Sequence, residues 1–268
     1  MAIYKVQNQW GGSSAPWNDG GIWVMGCRDN QNVVAVEAKS SDSGDNLVGT
    51  MTYAGEGPIG LKAARNVGNS YAAENQWGGD SAPWHDGGAW LVGCRDGQFV
   101  VALDIKSADG GKSFEGTMTY AGEGPIGFKA ELVDGSAYTT ENQWGGNSAP
   151  WHPGGVMVLG RRNGQNPNGY DIKSGDGGKS FDGTMNYEGE GPIGFIGQRT
   201  GCWNTYDVQN TWGGSGEKHP AGDFVVGARN GQATVALNLS SKDGGKSLTG
   251  TMTYEGEGPI GFKGTLLA

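Results

Sequence analysis

A small set of aromatic, glycine, basic and acidic residues recurs four times in this sequence and could stack against, and hydrogen-bond to, a ligand. Each copy has a Trp-Gly-Gly motif, then an arginine, then the hexapeptide Gly-Glu-Gly-Pro-Ile-Gly. The recurring side chains are Trp10, Trp77, Trp144 and Trp212; Arg28, Arg95, Arg162 and Arg229; and Glu56, Glu123, Glu190 and Glu257. Successive tryptophans lie 67 or 68 residues apart, so the chain consists of four copies of one unit.

These residue types together suit a neutral ligand that is rich in hydroxyl groups. An indole can cover the apolar C–H face of a sugar, and adjacent glycines let main-chain N–H groups approach closely. Arginine supplies donors and glutamate supplies acceptors, at about 1.5–3 kcal/mol for each hydrogen bond to a charged group. As isolated features, the tryptophan could pack in a core and the Arg and Glu could form a surface salt bridge. Their joint recurrence favours saccharide binding.

Other functions compete with saccharide binding. The GEGPIG motif fits the GxGxxG pattern of a dinucleotide-binding turn, but no helical periodicity follows it. A glycoside hydrolase would need two flanking carboxylates, and the other recurring acids, Asp42, Asp109, Asp176 and Asp243, have a structural explanation in hairpin turns. No Ser–His or Cys–His pair recurs, because His85 and His152 align with Asn18. A hydrolase and a structural β-repeat protein without a sugar ligand remain the alternatives.

Composition argues against several partners. There are 19 Lys and Arg residues against 28 Asp and Glu, and the net charge of -9 disfavours nucleic acid and anionic lipid surfaces. No apolar run is long enough to insert into a membrane. The N-terminal residues lack a signal-peptide pattern, so we expect a cytoplasmic protein or one released by a non-classical route. Cys27, Cys94 and Cys202 form no metal-ligand cluster and are expected to be free and buried, so no metal or cofactor is predicted.

Hydrophobic alternation predicts β-structure throughout each unit. Tyr4, Val6, Asn8 and Trp10 share one face at a period of two residues, as in a half-buried strand. Counting such runs gives about five strands per unit. In the first unit the predicted strands are 3–10, 21–28, 32–40, 47–53 and 58–65. The expected fold class is therefore all-β.

A five-stranded unit has exposed edges, which antiparallel proteins commonly remove by closing a barrel. Two units would supply about ten strands, so the predicted architecture is two tandem ten-stranded antiparallel β-barrels. The expected domains are residues 1–133 and 134–268, each containing two repeats. The repeat spacing alone leaves the pairing of units open.

The stretches VQNQWGGSSAPW, GCRD, DGGKSFEGTMTY and GEGPIGF resemble the Oscillatoria agardhii agglutinin family of high-mannose-binding lectins. The resemblance covers essentially the whole chain. It implies two interlaced repeats in each ten-stranded barrel, a sugar site at either end, and binding without metal or catalysis. It also implies that the ligand is the branched mannose core of high-mannose N-glycans on glycoproteins. We expect a monomer whose several sites cause agglutination.

In that family a site combines the Trp-Gly-Gly loop of one repeat with the Arg and Gly-Glu-Gly loops of the other. Matching motifs give four sites in this sequence: Trp10, Gly11 and Gly12 with Arg95, Glu123 and Gly124; Trp77, Gly78 and Gly79 with Arg28, Glu56 and Gly57; Trp144, Gly145 and Gly146 with Arg229, Glu257 and Gly258; and Trp212, Gly213 and Gly214 with Arg162, Glu190 and Gly191.

The second half of the chain departs from the pattern. Repeat four replaces the Ser-Ala-Pro-Trp segment by residues 215–220 and is one residue shorter between Trp212 and Arg229, so its site has the least support. Repeat three reads Asn166-Pro167-Asn168-Gly169 where other repeats have apolar residues such as Val33 to Val36, which predicts an edge, a bulge or a distorted strand. A second loop tryptophan, at 17, 84 and 151, is open between packing and binding.

Overall fold

The computed structural model describes residues 2–26, 31–67, 69–92, 98–133, 135–146, 148–159, 165–199, 205–212, 216–226 and 232–267. The chain divides into two compact units, Met1–Val133 and Asp134–Ala268. Each unit contains one closed ten-stranded antiparallel barrel, which confirms the predicted all-β fold class. Within the described ranges no helix has the length and hydropathy needed to cross a membrane.

The first barrel is built from the strands of repeats one and two. They are β1 (Ala2–Gln9), β2 (Asn18–Met25), β3 (Val33–Lys39), β4 (Asn46–Tyr53), β5 (Ile59–Val67), β6 (Ser70–Gln76), β7 (His85–Leu91), β8 (Val100–Lys106), β9 (Ser113–Tyr120) and β10 (Ile126–Val133). Their order around the barrel is β1-β10-β9-β8-β3-β4-β5-β6-β7-β2. Strands β3 to β5 of repeat one therefore lie between strands of repeat two, and the two repeats are interlaced.

The second barrel repeats this arrangement with repeats three and four. Its strands are β11 (Ser136–Gln143), β12 (Trp151–Leu159), β13 (Pro167–Lys173), β14 (Ser180–Tyr187), β15 (Ile193–Arg199), β16 (Thr205–Thr211), β17 (Lys218–Val225), β18 (Thr234–Ser240), β19 (Ser247–Tyr254) and β20 (Ile260–Leu266). Their order is β11-β12-β17-β16-β15-β14-β13-β18-β19-β20. Closure leaves no free sheet edge among these strands.

The second strand begins earlier than its sequence indicates. The prediction placed it at 21–28, whereas β2 runs from Asn18 to Met25. The glycines at 20 and 21 form a bulge inside the strand, because the register shifts between Lys5 and Gln7 of β1. Gly21 has a φ of +78°, which a side chain would disfavour, and pairing resumes beyond it.

Pro167 is accommodated without a strand edge. It is the first residue of β13, which pairs with both β14 and β18, so the edge prediction is wrong. A first strand position suits proline, whose missing N–H matters least there. The register does shift between Pro167 and Gly169, as the bulge prediction required. The other three repeats have equivalent register shifts without a proline, so the proline does not cause the shift in β13.

Buried tyrosines form hydrogen bonds between the two repeats of each barrel. The Tyr4 hydroxyl on β1 donates to the carbonyl of Gly111, in the β8–β9 turn of the other repeat, at 2.9 Å. Tyr71 makes the reciprocal bond to Gly44 at 2.8 Å, and burial raises the pKa of Tyr71 to about 12. In the second barrel Tyr138 and Tyr206 bond in the same way to Gly245 and Gly178. These bonds hold the start of each such strand against a hairpin turn of the other repeat.

Candidate functional site

The strand register places the start of each Trp-Gly-Gly motif beside a Gly-Glu-Gly turn. Strand β1 ends at Gln9, opposite Gly127 of β10, so Trp10 follows next to the turn that contains Glu123. The equivalent pairs are Gly60 with Gln76, Gln143 with Gly261, and Gly194 with Thr211. In every case the two loops come from different repeats of one barrel.

The two loop pairs of a barrel lie at its opposite ends. Five antiparallel pairings separate β10 from β5 around the first barrel, so these two strands run in opposite directions. The turns that precede them carry Glu123 and Glu56. The second barrel has the same strand order from β20 to β15. We name the two ends of each barrel by the exposed tryptophan found there: the Trp10 and Trp77 ends of the first barrel, and the Trp144 and Trp212 ends of the second.

The Trp-Gly-Gly tryptophans are surface residues. Tyr4, Val6 and Asn8 are buried by the alternation of β1, but Trp10 follows the last strand residue and leaves the core. The exposed fractions are 42% for Trp10 and 39% for each of Trp77, Trp144 and Trp212. A core role is therefore excluded for these four rings, and a large indole surface is available at each end.

A glutamine holds the loop that follows each tryptophan in the first three repeats. The Gln9 side chain donates to the Ala15 carbonyl at 2.6 Å, and the Ala15 N–H donates to the Gly12 carbonyl at 3.1 Å. Gln76 and Gln143 bond to Ala82 and Ala149 in the same way. These glutamines were not singled out from the sequence, although each directly precedes its tryptophan in a Gln-Trp pair.

The paired glycines provide a backbone conformation that other residues disfavour. Gly145 and Gly146 have φ values of +90° and +102°, and the corresponding glycines of the first two loops match them. An added Cβ at Gly146 would meet nothing within 4 Å, so the space above the backbone is open. A ligand could thus approach the main chain at this point.

The Gly-Glu-Gly turn is linked to the Trp-Gly-Gly strand through the core. The Glu123 N–H donates to the Tyr120 carbonyl at 3.0 Å, while Asn8 donates its side-chain N–H to the Tyr120 hydroxyl at 3.3 Å. Asn75 and Asn142 bond to Tyr53 and Tyr254 in the same way, and those tyrosines accept from Glu56 and Glu257. The buried tyrosine therefore fixes the two loops relative to each other.

The second glycine of the turn has no visible structural requirement. At Gly57, Gly124, Gly191 and Gly258 an added Cβ would meet nothing within 4 Å, and φ is not in the left-handed region. By contrast, the preceding glycine of the turn has a positive φ, as at Gly256 with +80°. The fold therefore does not require glycine at position 258, whereas a ligand that approaches the backbone there would.

Part of the predicted site lies outside the described residues. This applies to the arginines Arg28, Arg95, Arg162 and Arg229, to Gly213 and Gly214, and to the cysteines Cys27, Cys94 and Cys202. Near the described flanks, Gln98 donates to the Ala121 carbonyl at 3.4 Å, and Gln232 donates to the Glu257 carboxylate at 3.1 Å. Gln98 and Gln232, which follow Arg95 and Arg229 in the sequence, therefore lie beside Gly-Glu-Gly turns.

Three of the four tryptophans stack on a histidine. Trp77 and His85 have ring centroids 4.0 Å apart and nearly parallel planes, and Trp144 with His152 is similar at 4.1 Å. In repeat four Trp212 stacks on His219 at 3.8 Å. The sequence alone does not show that His219 is equivalent to His85, because repeat four is one residue shorter after its tryptophan. The strand register reveals it, since Asn210 pairs with His219 as Asn75 pairs with His85.

The recurring aspartates have the predicted structural role in turns. Ser247 donates to both carboxylate oxygens of Asp243, and Ser241 donates at 2.7 Å. These hydrogen bonds, chiefly from Ser247, lower the pKa of Asp243 to about 2. The pKa values of Asp42, Asp109 and Asp176 are lowered by equivalent bonds. Such carboxylates are ionised at neutral pH and unsuited to donate a proton as a general acid.

A cleft of about 510 Å³ opens at the Trp144 end. It extends from Gln143, Trp144 and the two loop glycines to Trp151 and Lys263. Thr249 and Thr251 on β19 form part of its wall. The volume lies within the roughly 300–1,000 Å³ range of small-ligand sites.

An all-β barrel whose ends carry an exposed indole, open glycine backbone and a carboxylate has the general features of a carbohydrate-binding protein. Residues 2–66, 69–133, 136–200 and 204–267 each match the OAA-family lectin sugar binding domain. The chain therefore belongs to the OAA lectin family and carries four repeats of its sugar-binding domain.

Relatives of similar length support this assignment. The chain is 61% identical to the myxobacterial hemagglutinin of Myxococcus xanthus over 267 residues, which are 99% of this chain and 100% of the relative. The crystal structure of that hemagglutinin in complex with α3,α6-mannopentaose has a TM-score of 0.95 at 60% identity, covering 99% and 100% of the two chains. The Burkholderia oklahomensis agglutinin has a TM-score of 0.94 at 58% identity, covering 99% and 95%.

Proposed function

We propose that this protein is a multivalent lectin that binds the branched mannose core of high-mannose N-glycans at each end of both barrels. The observation that carries the proposal is the strand register, which joins a Trp-Gly-Gly loop to a Gly-Glu-Gly turn four times. The myxobacterial hemagglutinin, similar over its whole length, has been crystallised with α3,α6-mannopentaose.

Each site would use an aromatic surface and converging polar groups. The indole of Trp144 covers the C–H face of a mannose ring, and backbone N–H groups at Gly145 and Gly146 donate to its hydroxyls. The Glu257 carboxylate accepts from other hydroxyls, and Gly258 permits close approach. The arginine of each site is assigned by its family motif and supplies further donors. The other three sites combine the same residue types in the sets given by the sequence motifs.

Agglutination follows from several sites on one chain. Once one site holds a glycan, a second site meets neighbouring glycans on the same surface at a high effective concentration. Avidity can then exceed the affinity of a single site by about 10²–10⁴. A monomer with four sites can also join two glycan-bearing particles, so self-association is not needed.

We further infer binding without hydrolysis. Glycosidases generally pair a carboxylate with a carboxylic acid whose pKa is raised. The recurring hairpin aspartates have the opposite shift because serine and backbone donors stabilise their ionised form. Incubation with a high-mannose glycan is expected to release no sugar, and any release of mannose would contradict this inference.

Calorimetry with α3,α6-mannopentaose tests the main proposal. We expect saturable binding with four sugars per chain, one for each end, and glycan-array signals confined to high-mannose structures. Silence in both measurements would favour a structural β-repeat protein. A stoichiometry of three, with the missing site at Trp212, would limit the proposal to the first three sites.

Replacing Gly258 by alanine should separate a binding role from a folding role. The added methyl group has open space and an acceptable φ, so the thermal unfolding midpoint should not change. It would stand where the mannose approaches, and affinity at the Trp144 end should fall roughly tenfold or more. Site-specific affinity can be measured from the indole N–H resonance of Trp144 in a mannopentaose titration.

Gly175 provides the matched control for that substitution. It also has nothing within 4 Å of an added Cβ and no left-handed φ, but it lies in the β13–β14 turn, outside the Trp-Gly-Gly and Gly-Glu-Gly motifs. Gly175→Ala should leave both stability and sugar binding unchanged. Normal affinity in Gly258→Ala would show that the ligand does not approach this backbone.

The histidine beneath the indole should strengthen sugar binding modestly. His152→Ala removes a stacked ring that restricts Trp144, and such aromatic pairs contribute about 0.5–1.5 kcal/mol. We expect a roughly two- to tenfold loss of affinity at the Trp144 end. Asn18→Ala at the Trp10 end is the control, because Asn18 occupies the same register position without a ring. An equal loss in both variants would exclude a specific effect of stacking.

A further inference from the structure

The second loop tryptophan of the first three repeats carries a lysine on its ring. Lys263 lies 3.8 Å from the ring centroid of Trp151, and Lys62 lies 3.9 Å from that of Trp84. Lys129 is farther from Trp17, at 4.8 Å. We call each pair a Trp–Lys ledge. All three tryptophans are half-buried, so they offer part of an indole surface together with ammonium N–H donors.

A glycine lets the ledge lie close to the barrel wall. An added Cβ at Gly261 would come within 3.3 Å of the Trp151 ring, which is tighter than ordinary packing. Gly60 and Gly127 have the same relation to Trp84 and Trp17. Lys263 follows two residues after Gly261 on the same strand, so its side chain emerges on the same face. Strand β20 thus places the ammonium group above the indole.

The ledge borders the site that holds the mannose core. The cleft at the Trp144 end runs without interruption from Trp144 and its glycines to Trp151 and Lys263. Its volume of about 510 Å³ provides room beyond the Trp-Gly-Gly loop. Thr249 lies opposite Lys263 in the strand pairing and adds a hydroxyl to this wall. The far end of the cleft therefore combines an apolar ring with neutral and cationic hydrogen-bond donors.

We propose that the Trp–Lys ledge is a second saccharide subsite, which binds a neutral hexopyranose of the same glycan beyond the unit held by the Trp-Gly-Gly loop. This inference rests on the proposed lectin function. The lysine donates to hydroxyls of the outlying sugar, and the indole contacts its C–H groups. The contact with the indole positions the lysine, so its N–H groups can donate to the hydroxyls of the neutral sugars that make up such a glycan.

The three ledges are not equivalent. Opposite Lys129 lies Glu115, whose carboxylate is 3.6 Å from the ammonium group and draws it away from Trp17. The residue opposite Lys62 is Val48, which provides an apolar neighbour instead. Outlying sugars should therefore bind best at the ledge of Lys263 and Thr249, and least well at the ledge of Lys129 and Glu115.

Among the described residues, no Trp–Lys ledge lies at the Trp212 end. Lys218 pairs with Thr211 at the position where Trp151 pairs with Gln143, and Ile196 occupies the lysine position. The aromatic ring and the cation are thus both replaced. This end should bind the core alone and discriminate less between small and extended glycans, which makes it an internal control.

The test uses the full chain and a full-length high-mannose N-glycan. Nuclear Overhauser effects between sugar protons and the indole protons of Trp144 and Trp151 report direct contact with the two subsites. Affinity is followed separately at Trp144 and Trp212 by their indole N–H resonances. Lys263→Ala is compared with Lys246→Ala, which removes the same charge from an exposed position outside the cleft.

We expect contacts from the glycan to both Trp144 and Trp151. Lys263→Ala should lower affinity at the Trp144 end about tenfold and leave the Trp212 end unchanged, while Lys246→Ala should change neither. Contacts to Trp144 without contacts to Trp151, or wild-type affinity in Lys263→Ala, would overturn the subsite. Absence of contacts to Trp144 as well would instead refute the proposed lectin site.

Discussion

Replacing Trp144 by alanine is expected to abolish measurable mannopentaose binding at one end of the second barrel, with a loss of at least about 30-fold in affinity. Its side chain is 39% exposed although it is the largest apolar group of the loop. Removing it deletes the surface for the sugar's C–H face, and central aromatic residues of this kind typically contribute 2 kcal/mol or more.

The stoichiometry measured by calorimetry should fall by one sugar per chain in this variant. The Trp10 and Trp77 indole resonances should titrate as in the wild type, because those sites belong to the other barrel. Leu132→Ala is a suitable control, since it removes a similarly exposed apolar side chain from a barrel wall. Unchanged stoichiometry and affinity in Trp144→Ala would show that the sugar does not contact this ring.

Replacing Gly49 by alanine is expected to destabilise the first barrel by about 3 kcal/mol or more. Gly49 lies on β4 opposite Ala38 of β3, where an added Cβ would overlap the Glu37 carbonyl oxygen. That oxygen belongs to a neighbouring strand and cannot move aside as a flexible side chain would. Accommodating the methyl group would require the two strands to separate.

Urea unfolding of Gly49→Ala, followed by tryptophan fluorescence, measures this effect. The transition of the first barrel should move to lower urea while that of the second barrel stays in place. Gly175→Ala, with open space around its added Cβ, should unfold like the wild type. A loss below about 1 kcal/mol in Gly49→Ala would show that β3 and β4 adjust without strain.

The local features of the fold are predictable from the sequence. Alternation located the strands, and the hairpin aspartates have the predicted turn role. It failed where a feature depends on pairing between strands. Glycines 20 and 21 look like a strand boundary in the sequence, but pairing with β1 turns them into a bulge. Likewise, the equivalence of His219 to His85 is not visible in the sequence and becomes clear only from the pairing of β16 with β17.

Single residues of the candidate site show the same division. The tryptophan of each Trp-Gly-Gly motif could have been a core residue by its alternation with Tyr4 and Val6. It is exposed because the strand ends one residue before it. The lysines of the Trp–Lys ledges gave no signal in the sequence, since Lys263 and Trp151 are far apart along the chain and meet only through the pairing of β11 with β20.

By itself, the sequence determined the four repeats, the β-structure of each and the residue types that can bind a sugar, because periodicity and turn chemistry act between near neighbours. The tertiary structure decided which loops meet. Gln9 and Gly127 are far apart in the sequence, and they pair because closing the barrel leaves no strand edge unpaired. The local pattern of the four similar repeats would be the same whichever repeats paired, so the sequence does not specify this pairing. The binding ends therefore exist only once each barrel is closed.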